Sequence, residues 1–320
     1  MSDSTTHPAN EDLPPNVQIT FRDDLTQPEQ RRVVERSVAT LVARSAEAVA
    51  QARAAQAEQE KLIASLNTPF MKLIEEDPAA NKALDDLRTR PYFDLEPTDV
   101  LRREQPLTAI NDVVTIPLRE VAGREARLLS TFPPYHFSWT WFDPQGSPAF
   151  DVYRDKESGD VGFDARSGEA AGGADGFVAV HAGVGMILRT DRTQTARGTA
   201  GRRMRFSYVV EANGVDISAT SEGGMEFTAL EDGRLLNSAI AKQWRHRVSA
   251  GLFGGHETAH RTQEWFGVSE PRFLEFPMRP GHEYTFNVGI WGFTDRQRGI
   301  GSGQAQAIIQ ANVHQIIKTP

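Results

Sequence analysis

The sequence predicts a segregated α+β chain: an N-terminal helical segment, coiled-coil-like or a helical hairpin, followed by an antiparallel β-sandwich or jelly roll. Three observations carry this reading. All 26 glycines and all five tryptophans lie after residue 122. The residues before Gly123 are rich in Ala, Glu, Gln, Leu and Arg, which lose least on entering a helix. Those after it combine glycine turns, aromatics and β-branched residues, which suit pleated surfaces and tight reversals.

Residues 1–25 are polar and proline-containing and read as a flexible arm. Thr26 and Glu29 stand at capping-box spacing with Pro28 in the first turn, so a helix is predicted over 28–66, ending before Pro69. Within it one line alternates steps of four and three: Val34, Val38, Leu41, Ser45, Ala48, Ala52, Ala55, Gln59, Leu62 and Leu66. This heptad seam, apolar at both ends and small in the middle, points to oligomerisation through a helical stalk. The competing arrangement folds the helix back within one subunit, against a second helix or the β domain. That second helix is expected over 78–90, with Asp77-Pro78 as cap and first turn and Ala83, Leu84 and Leu87 on one side. Residues 91–111, with three prolines, read as a connector.

The β domain is expected over 112–320. Tyr135, Phe137, Trp139 and Trp141 alternate onto one face, as do Ala305, Ala307, Ile309, Ala311 and Val313. Asn213-Gly214 signals a hairpin, and Asp232-Gly233 and Pro280-Gly281 mark two further reversals. Residues 154–176 read as a long glycine-rich loop.

Charge and composition exclude several function classes. Residues 1–122 carry 21 acidic and 14 basic side chains, and residues 123–320 carry 22 and 21. Neither half has the cationic excess that nucleic-acid binding requires. With no cysteine there is no disulfide frame, thiolate nucleophile or Cys-based zinc site. No apolar run is long enough for a transmembrane helix, and the polar N-terminus lacks a secretory signal. A cytoplasmic protein, or a component of a particle released without a signal peptide, is expected.

Four motifs carry candidate chemistry. His256-Glu257-Thr258-Ala259-His260 matches H-E-x-x-H and resembles the zincin metalloproteases in those five residues. On a helix that spacing places His256 and His260 on one zinc ion, with Glu257 activating its water, which makes a zinc-dependent hydrolase the alternative function. The context reads otherwise: Gly254 and Gly255 oppose a helix, Arg261–Phe266 alternates like a strand, and Gln263 and Phe266 occupy the glycine and third-histidine positions of the longer metzincin form.

Arg189, Arg192, Arg197, Arg202, Arg203 and Arg205 form a cluster that could hold an anionic partner, against the plainer reading of a solvated loop. Trp139 and Trp141 could stack on a glycan, although an alternating aromatic row in a β protein more often points inward. Asp155, Glu157, Asp160 and Asp164 offer hard oxygen ligands for calcium without the regular spacing of a calcium loop. His136, His181, His246, His282 and His314 sit singly in β-like runs and read as structural. The leading expectation is a non-enzymatic structural or interaction protein, a β-sandwich head on a helical segment that self-associates or binds a protein or glycan partner, without a cofactor.

Overall fold

The computed structural model describes residues 13–25, 27–89, 129–172, 175–251, 255–266, 274–297 and 299–319. Two antiparallel sheets stack face to face, and a long helix covers the outer face of one. In chain order the elements are β1 (Val17–Phe21), α1 (Pro28–Glu76), α2 (Pro78–Thr89), β2 (Leu129–Thr131), β3 (Phe137–Gly146), β4 (Ala149–Asp155) and β5 (Asp160–Gly168). They continue with β6 (Gly176–Leu188), β7 (Gln194–Val215), β8 (Ile217–Glu231), β9 (Arg234–Ala250), β10 (Gly255–Phe266), β11 (Leu274–Met278), β12 (Tyr284–Gln297) and β13 (Ile300–Thr319). The six-stranded sheet runs β1-β3-β6-β12-β8-β9. The seven-stranded sheet runs β10-β7-β13-β5-β4, with β11 beside β7 and β2 beside β13.

Alternation fills the space between the sheets. On β13 the odd-numbered residues Ala305 to Val313 are fully buried, as their spacing predicts, and they meet Phe286, Val288 and Ile290 of β12 and Met225 and Phe227 of β8 in one cluster. A second core lies on the other side of the six-stranded sheet. There Val34, Val38, Leu41 and Val42 of α1 pack with Phe137, Trp139, Trp141, Phe177 and Ile187. Strand β6, at the middle of this sheet, is buried along its whole length because both faces are covered. Phe137 and Trp139 lie across Gly185 and Gly183 of β6. A Cβ on either glycine would meet the facing ring at 2.3 or 2.7 Å, so only glycine leaves room for these aromatics.

Several sequence expectations change here. The supposed arm contains β1, whose Val17, Ile19 and Phe21 pair with Trp141, Trp139 and Phe137 of β3 and join the helix-side core. A five-residue strand is too short to stand out in a polar segment when its partner lies more than a hundred residues away.

The first helix runs on to Glu76 with Pro69 inside it. The carbonyl that Pro69 leaves without an N–H belongs to Ser65, in an exposed turn of the helix. Its N-cap is Gln27, extended and without a side-chain cap, whereas Thr26 lies outside the described residues. Asp77 caps α2 as expected, its Oδ1 accepting from the backbone N–H of Ala79 at 2.9 Å.

Asn213-Gly214 is not a hairpin loop. Both residues belong to the end of β7, and the chain passes to the other sheet through Asp216, at φ 57°. Asp232-Gly233 does close the hairpin β8–β9, with φ 50° and 90°, the positive pair a type I′ turn requires. Residues 154–176 are largely strand: β4 and β5 form a hairpin, followed by one 3₁₀ turn over Glu169–Ala171. The connector 91–111 and the start of the β domain at 112 lie outside the described residues.

Candidate functional site

The H-E-x-x-H residues lie on β10, an edge strand paired with β7. His256 and His260 are four residues apart in extended chain, roughly 13 Å, too far to share a metal. Strand alternation also sends Glu257 to the face opposite both histidines. The side chains have other partners: His256 Nε2 lies 2.8 Å from Glu211 Oε1, and Glu257 accepts from the N–H of Ser249 at 2.9 Å. The helical zinc geometry expected of this motif is therefore absent, for the reason its flanking glycines and alternation supply.

The arginine cluster does not converge. Arg189 and Arg192 are exposed before β7, where Arg189 pairs with Glu283. Arg197 pairs with Glu275 at 2.7 Å. Arg202 points inward and is buried between the sheets, its guanidinium 4.9 Å from the Phe227 ring, while Arg203 and Arg205 alternate to the opposite face of β7. The expected loop is a strand, and its period of two divides the charges between faces.

Trp139 and Trp141 are core residues, 0% and 3% exposed, so neither can stack on a glycan. The Trp139 indole N–H donates to Asn287 Oδ1 at 2.7 Å, and its ring packs against His181 with centroids 4.5 Å apart. The four acidic residues of the proposed calcium site are spread along β4–β5. Asp155 accepts from the N–H of Glu157 and from Ser158, Asp160 accepts from Ser158 and Asn312, and Asp164 pairs with Arg166. Among the described residues no three of the side chains His, Asp and Glu gather as a metal would require.

The heptad seam divides in two. Val34, Val38 and Leu41 are buried against the β-sandwich of the same chain, whereas Ala48, Ala52, Ala55, Leu62 and Leu66 are exposed. A straight helix drifts about 20° per heptad against a 3.5-residue repeat. The face that follows the sheet accordingly moves from Val38 and Leu41 to Val49 and Arg53, and the seam rotates off it.

Two features under α1 had no sequence signal. One is a buried polar clasp. Arg44 Nη1 lies 2.6 Å from Glu226 Oε1, Glu226 Oε2 lies 3.9 Å from His181 Nε2, and Ser45 Oγ lies 3.4 Å from His181 Nδ1. Burial, reinforced by the Arg44 charge, pulls His181 from 6.5 down to about 3, so the ring is neutral. Burial pushes Glu226 up, with Arg44 opposing. The cluster contains serine, histidine and glutamate, but His181 is 1% exposed and Glu226 6%, and its contacts tie α1 to the sheet.

The other feature is a recess of about 570 Å³ where α1 leaves the sheet. Arg53, Ala54 and Ala57 form its helical wall. Gln145 and Gly146 of β3, Asp175, Gly176 and Phe177 at the start of β6, and Asp295, Arg296 and Gln297 of β12 form the rest. The Arg53 guanidinium sits 5.0 Å above the Phe177 ring. Arg296 pairs with Asp175 and donates to the Gly301 carbonyl at 3.2 Å, and burial lowers its pKa. Asp295 accepts from Gln297 at 3.2 Å. These residues come from four separate segments, so only the fold brings them together.

The class defined by this architecture is a β-sandwich with a helix laid across one outer face. No protein-family model matches the chain, and no curated protein matches it. Among solved structures, a CocE/NonD family hydrolase from Staphylococcus aureus is similar at 9% identity over 55% of this chain and 37% of its own, with a TM-score of 0.15. The enzymatically active domain of tailspike protein 4 of bacteriophage CBA120 gives 10% identity over 58% and 19%, TM-score 0.13. A carbohydrate-binding module of the β-sandwich superfamily gives 11% over 52% and 54%, TM-score 0.12. The chain thus spans about half or less of each of these proteins, and at these scores none informs its function. No helix among the described residues is long and apolar enough to cross a membrane.

Proposed function

We propose that this chain is a non-enzymatic structural or interaction protein: a β-sandwich head that grips the first half of α1 and uses the second half to associate with further copies of itself. The observation that supports this is one apolar line. Leu62, Leu66 and Leu73 are 61%, 66% and 66% exposed, and they continue the four–three seam past Pro69. A 3.6-residue pattern suits docking on a sheet, and the docked half of α1 follows it. A 3.5-residue pattern suits a partner helix that coils with it, and the distal half keeps that one. The occupant this pattern specifies is the same segment of a second copy.

Light scattering on the full chain tests the proposal. Association as an integral multiple of the chain mass, reduced to single chains by Leu62→Glu with Leu66→Glu, supports it. A wild-type chain that stays monomeric across the accessible concentration range overturns it.

A further inference from the structure

The recess beside α1 has a lining suited to a saccharide, and its one aromatic wall, Phe177, touches further aromatic side chains that lie beside the recess on the same sheet face. Phe177 and Phe293 are in ring contact at 5.9 Å, and Trp291 lies two residues from Phe293 on the same side of β12. Phe293 and Trp291 are each only partly buried. The Trp291 indole N–H has no protein partner, although the atom itself is shielded. Trp291 belongs to neither hydrophobic core, which is unusual for so large a side chain in a well-packed sheet.

Around Phe177 the recess is lined by planar polar groups, which recognise hydroxyls in pairs. Gln145 and Gln297 offer amides, Asp175 and Asp295 carboxylates, and Arg53 and Arg296 guanidinium forks. The two cations balance the two acids, which suits a neutral ligand better than an ionic one. Arg53 is pre-oriented by the Phe177 ring beneath it, and Arg296 by its pair with Asp175, so little side-chain entropy remains to be lost on binding. The volume, about 570 Å³, falls within the range of small-molecule sites and admits one or two sugar rings.

We infer that this recess binds a neutral oligosaccharide, with Arg53, Asp295 and Gln297 engaging hydroxyls inside it and Phe293 and Trp291, beside the recess, stacking on a sugar ring that extends from it. The inference is independent of self-association, because the site lies within one chain and none of Leu62, Leu66 and Leu73 lines it.

The test is a glycan array of neutral and acidic oligosaccharides probed with the full-length protein, followed by calorimetric titration of the best neutral hit. Arg53→Ala and Trp291→Ala are each expected to weaken that hit at least tenfold with thermal midpoints close to wild type. If Trp291→Ala fails to fold, Arg53→Ala decides alone, since Arg53 lies on the helix surface and outside both cores. The inference is overturned if no glycan binds, if only acidic glycans bind, or if the hit binds Arg53→Ala within twofold of wild type. Running the titration in the Leu62→Glu, Leu66→Glu background separates the two proposals: retained binding there shows a monovalent site whatever the fate of the seam.

Discussion

Leu41 and Leu66 are the same residue type on the same four–three line of the same helix, 3% and 66% exposed. They should nevertheless respond oppositely to alanine. Leu41→Ala removes three carbons from the core shared with Phe137, Trp139 and Trp141. At about 0.8 kcal/mol per carbon the transfer loss is about 2.5 kcal/mol, and the cavity left under a rigid helix raises it to about 3–4 kcal/mol. Alanine's better helix propensity returns only a few tenths. Leu66→Ala removes the same carbons from water-exposed surface, so the single chain should change by less than about 0.5 kcal/mol. Urea unfolding followed by circular dichroism at two widely separated protein concentrations measures both. Leu41→Ala should lower the midpoint equally at the two concentrations, whereas any loss from Leu66→Ala should appear only at the higher one, where copies associate. A Leu41→Ala variant within about 0.5 kcal/mol of wild type would refute the docked helix. Equal, concentration-independent losses at both sites would refute the division of the seam.

Three further outcomes follow from the helix-side layer. His181 is neutral in the folded chain down to about pH 3 but charges near 6.5 when unfolded, so between these values the unfolded chain binds the extra proton. Stability should therefore rise with pH from 3 to 6.5 and level off, by at most about 5 kcal/mol, and His181→Gln should flatten this limb in a series of urea midpoints. Glu226, raised by burial, works the other way: its contribution is complete below 4.5 and is lost as pH rises, so a limb that falls towards neutral pH in wild type would rule out His181 as the dominant group. In the clasp itself, Arg44 reaches water and Glu226 does not, so Arg44→Met should cost about 3 kcal/mol and Glu226→Gln clearly less; equal costs in chemical denaturation would contradict that asymmetry. Trp139→Ala should cost about 4 kcal/mol and leave Asn287 Oδ1 without its donor, and a variant as stable as wild type would remove Trp139 from the core.

Where local pattern and tertiary need coincided, the fold was legible. Ala305 to Val313 face inward because β13 is central and its alternation is uninterrupted. Asp232-Gly233 turns because both residues take positive φ and the strands it joins are neighbours. The misreadings occur where one local signal serves two purposes. Gly214 lies where β7, β10 and β13 run side by side, opposite Gly255 and Gly301, and a Cβ on Gly301 would stand 2.1 Å from the Asn213 carbonyl oxygen. Glycine there permits close backbone approach, and the same residue pair that marks a hairpin elsewhere marks a crowded strand end here. The candidate site was harder still. Arg53, Phe177 and Asp295 are each ordinary in their own segments, and only the crossing of α1 over the sheet brings them together.

That crossing also gives the two halves of the chain their relation. A helix of 49 residues, about 70 Å long, is far longer than the patch of sheet it covers, and its first half alone suffices to close the second core. The residues that anchor it, from Val34 to Val49, follow the helix's own period. Those beyond keep a repeat that no sheet surface can match over several heptads. The point where the two periods part is the point where α1 lifts from β6 and β12, and the recess opens there. A ligand in the recess would bridge Arg53 on the helix and Asp295 on the sheet, so its binding energy would add to the anchoring of α1. If both proposals hold, a saccharide that fills the recess should raise the thermal midpoint of wild type and not that of Arg53→Ala. A ligand that binds without stabilising the helix against hydrogen exchange between residues 45 and 57 would show that the site and the anchor are separate.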